Sequence, residues 1–292
     1  MNPPRLALIS DIHSNHHALR AVLNHIDAVG ADGLIFLGDY VSDFPGARQV
    51  ISLLHECKEK YPCWFIRGNR EDYLLAHRSD PASVWQSGSA HGSLLYTYQQ
   101  LTAEDLDFFQ SLPICQVIHP PQGAPLTAFH GSPERSNQSI FFDEQAITHF
   151  MQQAETSLLV CGHQHLVRTV CRLGRILNFT GSTGLPDGFG GCAQFAYLTW
   201  TDGRWLPQNQ IIPYDVEAAL AEFDHSGLSA MGGWFTAAVR HMARTGLNTT
   251  ARLTQRATEL ARADGVSGPC PEEYYRQAAQ DVGLPQESRS LL

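Results

Sequence analysis

The chain has 292 residues, 43% of them hydrophobic, and is long enough to bury a large core as one α/β domain, with or without an appendage. Its formal net charge of −9 and isoelectric point near 5.8 argue against the basic surface that binds nucleic-acid polymers or membranes. Seven scattered cysteines without a Cys-x-x-Cys motif, and an amino terminus without a signal sequence, predict reduced thiols and a cytoplasmic location.

Strands and helices alternate at the start of the chain. Apolar runs predict strands over 5–10, 34–37 and 63–66, and apolar residues spaced three and four apart predict helices over 15–29 and 46–59. This alternation is typical of a largely parallel sheet. The carboxyl ends of its strands meet at one edge, where a ligand is expected.

The middle of the chain predicts a rim of helices and a second sheet. Helices are expected over 71–78, 89–100 and 102–111, the last with a start at Thr102 that resembles a capping box. A second, hairpin-rich sheet is expected after these helices. Its first two strands, over 114–119 and 126–130, are joined by a Pro/Gly-rich connection, and a helix over 143–155 follows. A strand over 158–161, a tight hairpin over 168–178 and two closing strands over 193–199 and 205–212 complete it.

The end of the chain is alanine-rich and predicted to be helical over 216–223, 230–244, 249–263 and 271–279. No metal-ligand cluster is predicted in this segment. Its apolar residues must be buried against the rest of the chain or against a second copy, because a patch of that size is unusual on a monomer. We expect the segment to lie near the rim of the site and to restrict it to small substrates.

Residue types that bind metals follow five of the predicted strands. Taken alone, Asp39 or Asn69 is more often a turn residue, and His130 could be a histidine satisfied within the core. These separate explanations do not account for the whole set, because without a metal so many buried polar groups at strand ends would have no partner to offset the cost of their burial. The candidate ligands are Asp11, His13, Asp39, Asn69, His130, His163 and His165.

Carboxylate and imidazole ligands together favour Mn, Fe, Zn, Ni or Co over Mg or Ca. Seven ligands from separate strand ends favour a pair of ions. Two ions about 3.5–4 Å apart can lower the pKa of a shared water towards neutrality.

The ordered motifs Asp-x-His, Gly-Asp, Gly-Asn, His and Gly-His-x-His resemble those of the calcineurin-like metallophosphoesterase superfamily, over about residues 5–212. The resemblance implies a four-layer α/β/β/α sandwich, expected over residues 1–213, followed by a C-terminal helical extension over 214–292. It also implies two ions, with manganese or iron favoured. Asp39 would bridge them, one ion being held with Asp11, His13 and His165 and the other with Asn69, His130 and His163.

Two positions depart from the family pattern. In many relatives the Gly-Asn motif continues with a histidine that can act as a general acid, whereas here Arg70 follows Asn69. Arg70 is interpreted as a catalytic phosphate clamp, with a surface ion pair to Glu71 or Asp72 as the alternative. Leaving-group protonation then falls to His91, another nearby histidine or water, unless the leaving group needs none. The glycine-rich loop 181–191 also lacks the Asn-Pro-Gly-Ser sequence common in bacterial relatives.

The resemblance is nearest to small bacterial phosphodiesterases and phosphatases, including those that resemble asymmetric diadenosine tetraphosphate hydrolases. We therefore expect hydrolysis of a phosphodiester in a small soluble, nucleotide-type substrate by a hydroxide that bridges the metals. The alternatives are a phosphomonoesterase acting on a phosphoprotein or small phosphate ester, and a non-catalytic binding scaffold. No nucleic-acid polymer or membrane is an expected partner, and a homodimer is left open.

Overall fold

The computed structural model describes residues 3–80 and 82–285; the predictions that reach residues 1–2 and 286–292 extend outside this range. Within it lie ten strands, β1 to β10 in chain order: Arg5–Ile9, Gly33–Phe36, Cys63–Phe65, Cys115–Ile118, Leu126–Phe129, Leu158–Cys161, Val167–Arg172, Arg175–Thr180, Cys192–Thr201 and Arg204–Pro213. The ten helices, α1 to α10, are His16–Val29, Ala47–Lys60, Asn69–Ser79, Gly92–Tyr98, Ala103–Ser111, Glu144–Gln153, Val216–Ser226, Leu228–Thr245, Thr249–Ala263 and Glu272–Asp281. None of the helices in these residues is long and apolar enough to cross a membrane.

The first sheet has the strand order β10-β9-β1-β2-β3. β1, β2 and β3 are parallel, but β9 runs antiparallel to both β1 and β10. The prediction of a largely parallel sheet was therefore wrong, and the sheet is mixed. The reason is the closing hairpin: its turn at Asp202 and Gly203 has positive φ at both residues, the geometry that brings β10 directly back along β9.

The second sheet has the order β4-β5-β6-β8-β7 and is mixed as well. β4 and β5 form one antiparallel hairpin and β7 and β8 another, while β5, β6 and β8 are parallel. This agrees with the hairpin-rich sheet that the sequence predicts. The parallel strands β5 and β6 end at the histidines that the metal centre needs.

Four layers result from burial on both faces of both sheets. Leu6 and Leu8 of β1 pack between the two sheets, whereas Ala7 and Ile9 pack against the outer helices α1 and α2. Side chains alternate in this way because a strand has a period of two, and burial on both faces explains why the predicted strands are continuous apolar runs. Helix α6 covers the outer face of the second sheet. The predicted α/β/β/α sandwich is confirmed.

The C-terminal helices are buried within the chain. Phe223 of α7 is 1% exposed and makes an edge contact with Phe44, and Val239 of α8 belongs to the same apolar cluster. Trp234 and Tyr275 join α8 and α10 to α9 in a second cluster. Helix α8 also contacts α4. The expectation that this segment packs on the rest of the chain agrees with the structure.

Candidate metal centre

The seven predicted ligands all follow strands, at the edge where the parallel strands end. Asp11 and His13 follow β1, Asp39 follows β2, and the rest follow β3, β5 and β6. Because the two sheets place these carboxyl ends side by side, residues far apart in sequence meet in one place. The structure brings together Asp11, His13, Asp39, Asn69, His130, His163 and His165.

One group of ligand atoms is formed by Asp11, His13 and His165. The Oδ1 atom of Asp11 lies 3.3 Å from Nε2 of His165 and 3.8 Å from Nε2 of His13. The two Nε2 atoms are 2.9 Å apart. Three atoms that can each donate an electron pair thus converge on one point, as metal ligands do.

A second group lies around His130. Its Nε2 atom is 3.4 Å from Oδ1 of Asp39 and 3.1 Å from Oδ1 of Asn69. The other oxygen of Asp39 is 3.9 Å from Nε2 of His13, so the carboxylate faces both groups. His163 belongs to neither tight cluster, but its ring lies 5.1 Å from that of His130, centroid to centroid. Burial lowers the pKa of His163 to about 4, which keeps this ring neutral and able to bind a metal.

The surroundings of the Asp11 carboxylate show whether these residues suit a cation. This carboxylate is completely buried. Its Oδ2 atom accepts hydrogen bonds from the Ser10 hydroxyl and from the backbone N–H of His163. Its Oδ1 atom has no hydrogen-bond partner. A buried carboxylate oxygen without a partner is costly, and a metal ion at the point that Oδ1 faces removes that cost. The residues present therefore fit a metal.

Backbone carbonyls fix the orientation of two histidine rings. Nδ1 of His130 donates to the carbonyl oxygen of Leu37 at 2.6 Å, and Nδ1 of His165 donates to that of Leu185 at 2.8 Å. A carbonyl can only accept, so Nδ1 carries a proton in both rings. When such a ring loses the proton on Nε2, the lone pair of Nε2 faces the centre, as in ligating histidines.

The charges at the centre also suit a cation. Burial alone would lower the pKa of both His13 and His130, because it disfavours the charged ring. The nearby carboxylates of Asp11 and Asp43 instead raise the pKa of His13 to about 9, and the charges of Asp39 and Asp11 raise that of His130 to about 10. In the metal-free chain, protons on these rings supply positive charge that a metal would otherwise bring.

The backbone at the centre is strained. Non-glycine residues seldom adopt φ between +20° and +160°, and those that do cluster at functional sites. Five of the seven candidate ligands have φ between 52° and 73°: Asp11, His13, Asp39, His163 and His165. These turns direct side chains of neighbouring residues to one point.

The glycines in the Gly-Asn and Gly-His motifs are required by close packing. A Cβ atom at Gly68 would lie 2.2 Å from Oδ1 of Asp39, and one at Gly162 would lie 2.6 Å from Oδ2 of Asp11. Any side chain at either position would collide with a ligand from another loop. The motifs therefore carry glycine because the ligand loops approach to within van der Waals contact.

Glu71 is a structural residue that the sequence analysis missed. Its side chain is completely buried and accepts hydrogen bonds from the backbone N–H groups of Asp39, Tyr40 and Gly68, at 2.9, 2.9 and 3.0 Å. It therefore fixes the Asp39 loop to the start of α3. Part of the signal was present, since a glutamate at the third position of a helix often accepts from the backbone N–H of the N-cap residue, as Glu71 does from Gly68.

Asp43 was missed as well, and it changes the interpretation of Arg70. Nη2 of Arg70 donates to Oδ2 of Asp43 at 2.9 Å, and the same oxygen lies 3.1 Å from Nδ1 of His13. The proposed surface pair of Arg70 with Glu71 or Asp72 was therefore wrong. Glu71 is occupied by backbone donors, and Arg70 reaches a buried carboxylate that orients a ligand.

A cavity of about 550 Å³ adjoins the centre at Arg70 and Asp43. His91, the predicted proton donor, lies in its wall beside Trp85, with the two rings nearly parallel and 6.1 Å apart. In the described residues His91 makes no hydrogen bond to any candidate ligand. The wall is largely aromatic, with further contributions from Tyr73, Phe235 and Tyr275.

Comparison with known families shows which family the chain belongs to. The model of the calcineurin-like phosphoesterases matches residues 4–167, which is 164 of the 292 residues and includes all seven candidate ligands. The chain belongs to the calcineurin-like phosphoesterase family. It is therefore a phosphoesterase, and its candidate ligand groups agree with the family's use of divalent metals.

Solved structures share the fold of this phosphoesterase. The hypothetical protein PH1004 from Pyrococcus horikoshii OT3 matches with a TM-score of 0.70 and 20% identity, over 83% of this chain and 98% of its own. A metallophosphoesterase from Sphaerobacter thermophilus matches with a TM-score of 0.68 and 22% identity, over 84% and 100%. The uncharacterised protein MJ0912 of Methanocaldococcus jannaschii is 25% identical over 182 residues, covering 62% of this chain and 71% of that protein.

Proposed function

We propose that this phosphoesterase hydrolyses a phosphodiester in a small soluble, nucleotide-type molecule, at a centre that holds two divalent transition-metal ions. The observation that carries the proposal is Oδ1 of Asp11, which is buried without a hydrogen bond and faces the converging Nε2 atoms of His13 and His165. The carboxylate and imidazole set favours manganese or iron, with zinc, nickel and cobalt as alternatives.

Asp39 is the residue proposed to serve both ions. Its two oxygens face different histidines, Oδ1 towards His130 and Oδ2 towards His13, which supports a bridging role. When bound, two such ions supply an activated water and positive charge for the phosphoryl oxygens. The first ligand set is Asp11, His13, Asp39 and His165, and the second is Asp39, Asn69, His130 and His163.

Arg70 is proposed to hold a phosphoryl oxygen of the substrate. Its backbone N–H donates to Oδ1 of Asp39 at 2.8 Å, so the residue starts beside the bridging carboxylate. Its guanidinium donates to Asp43 through Nη2, which leaves further donors of the planar fork for a substrate. The ion pair with Asp43 holds the fork in place before substrate arrives.

The leaving group is proposed to occupy the 550 Å³ cavity beside Arg70. Its aromatic wall suits a flat group such as a nucleoside, and its volume suits a small molecule rather than a polymer. The proton for this group is proposed to come from His91. Burial lowers the pKa of His91, so this ring would donate a proton more readily below neutral pH.

The last helices are proposed to limit the size of the substrate. Phe235, Thr254 and Tyr275, one from each of α8, α9 and α10, line the cavity. We accordingly propose residues 1–213 as the phosphoesterase domain and residues 214–292 as an extension that encloses its leaving-group side. A homodimer and a cytoplasmic location remain predictions.

The proposal is tested with the full chain, stripped of metal and reloaded with each candidate ion in turn. Turnover is measured for bis(p-nitrophenyl) phosphate, p-nitrophenyl phosphate and a dinucleoside polyphosphate. The expected result is faster turnover of bis(p-nitrophenyl) phosphate than of the monoester, abolished by Asp11→Asn but retained by Asp32→Asn, a surface carboxylate that accepts from the backbone of Arg5. Faster turnover of the monoester would favour the phosphomonoesterase alternative. Failure to turn over any of the three with every metal would overturn the proposal.

A further inference from the structure

A second cluster of metal-binding residue types lies outside the phosphoesterase centre. It consists of His16, His17 and Glu222, whose ligand atoms all lie within 4.8 Å of one another. Nε2 of His16 is 2.8 Å from Oε1 of Glu222, and Nε2 of His17 is 2.9 Å from the same oxygen. In the described residues, neither histidine makes a hydrogen bond to a candidate ligand of the main centre.

The cluster joins two parts of the chain. His16 and His17 are the first two residues of α1, which packs on the first sheet, and Glu222 lies in α7, the first helix of the extension. The two rings, which would normally diverge around a helix, are tilted by only 36° with centroids 4.1 Å apart. Both rings therefore turn towards a single oxygen that lies 205 and 206 residues away in sequence.

We propose that His16, His17 and Glu222 bind a further divalent transition-metal ion, best matched by zinc, which fastens α7 to α1. Two imidazoles and one carboxylate are a common protein ligand set for zinc, with water completing the tetrahedron. All three side chains are partly exposed, between 21% and 34%, so an ion and its water can enter from solvent. Glu222 also lines an open groove of about 550 Å³.

The surroundings keep His16 available as a ligand. Burial lowers its pKa and so favours the neutral ring, whose Nε2–H donates to Glu222; a metal ion would take the place of that proton. The ring also fits closely against the start of α2, where a Cβ atom at Gly46 would lie 2.4 Å from its Cδ2. The amino end of α1 carries partial positive charge, which disfavours a cation, and the carboxylate of Glu222 offsets it.

The site has a structural role, because α7 leads into α8, whose Phe235 lines the cavity beside the main centre. An ion at His16, His17 and Glu222 would hold the first helix of the extension to the sandwich. It would act on the cavity only through the position of these helices.

The test counts zinc ions per chain in the full-length protein by equilibrium dialysis and elemental analysis. Glu222→Gln should bind one zinc ion per chain fewer than wild type, with affinity at that site reduced by at least about 100-fold, since losing even an outer partner of a ligand costs 10- to 100-fold. The matched control is Glu217→Gln, on the same helix, whose carboxylate pairs with Arg244. That variant should bind zinc as wild type does.

His17→Ala is the second variant, because its side chain is partly exposed and its loss should spare folding. It should also bind one zinc ion fewer, and zinc should raise its thermal midpoint less than that of wild type. Each result is a difference between variants, so it holds whatever the main centre binds or hydrolyses. Equal zinc counts in wild type, Glu222→Gln and His17→Ala would overturn the proposal and leave a hydrogen-bonded trio.

Discussion

Metal binding at the main centre should release protons. In the metal-free chain the pKa of His13 is raised to about 9 and that of His130 to about 10, so both rings are charged at neutral pH. A metal ion binds only the neutral imidazole, so each ion must displace the proton on the ring nitrogen that it binds. The apparent affinity for metal should therefore rise with pH until the pH passes these pKa values.

The expected size follows from the number of protons. Each displaced proton contributes a factor of about ten in apparent affinity per pH unit, so each ion gains up to about tenfold per unit. The overall constant for binding both ions rises by up to about 100-fold per unit, or about 10,000-fold between pH 6 and pH 8. That figure is an upper limit, because the two rings share carboxylates and their titrations are coupled. Calorimetric titration with metal in two buffers of different ionisation enthalpy counts the protons directly.

A variant of Asp43 tests whether the raised pKa of His13 causes this proton release. Its carboxylate accepts from His13 and raises the pKa of that ring, so Asp43→Asn should release fewer protons on metal binding. Asp27→Asn, a surface carboxylate paired with Lys60, should behave as wild type. Heats that do not depend on the buffer, with an affinity that does not change with pH, would refute the reasoning, because both rings would then be neutral before metal binds.

Three further outcomes are expected. Asp39→Asn should lower metal occupancy at both positions, because an amide cannot neutralise two cations, and two tightly held ions in elemental analysis would contradict this. Arg70→Ala should lower kcat/KM by about 10- to 1000-fold at unchanged metal content, with Arg67→Ala near wild type. Loss of metal instead would show that Arg70 acts through Asp43. Phe223→Ala should lower the free energy of unfolding by about 3–5 kcal/mol in urea titrations, and a loss below 1 kcal/mol would contradict its burial.

Most of the fold could be predicted because the local sequence patterns of its strands and helices match the structure that they adopt. The strands of the sandwich are buried on both faces, so their sequences are uninterrupted apolar runs. Helices such as α1 and α9 show strong apolar periodicity. The candidate ligand positions were chosen from the same signal, because each follows such a run. The elements were recognised without any knowledge of long-range contacts, and the family pattern then ordered them.

The residues that support the ligands could not be predicted in this way. Asp43 lies in a turn after β2, and Glu71 is one of two adjacent acidic residues at the start of α3. Their local sequence predicts a turn and a helix start but does not show which loops they hold. Their roles depend on contacts with His13, 30 residues before Asp43, and with Asp39, 32 residues before Glu71. The left-handed backbone of the ligand loops is equally hidden, since an aspartate or histidine adopts it only where the surrounding structure imposes it.

Glu222 marks the limit of reading function from sequence. The sequence analysis assigned no metal-ligand cluster to the last helices. The cluster exists only because α7 packs beside α1 and places Glu222 against His16 and His17. A set of ligands separated by some 200 residues can be recognised in sequence when each member follows a strand, as at the main centre. A glutamate on an amphipathic helix has no comparable sequence signal, so only the packing of the helices shows that Glu222 lies beside two histidines.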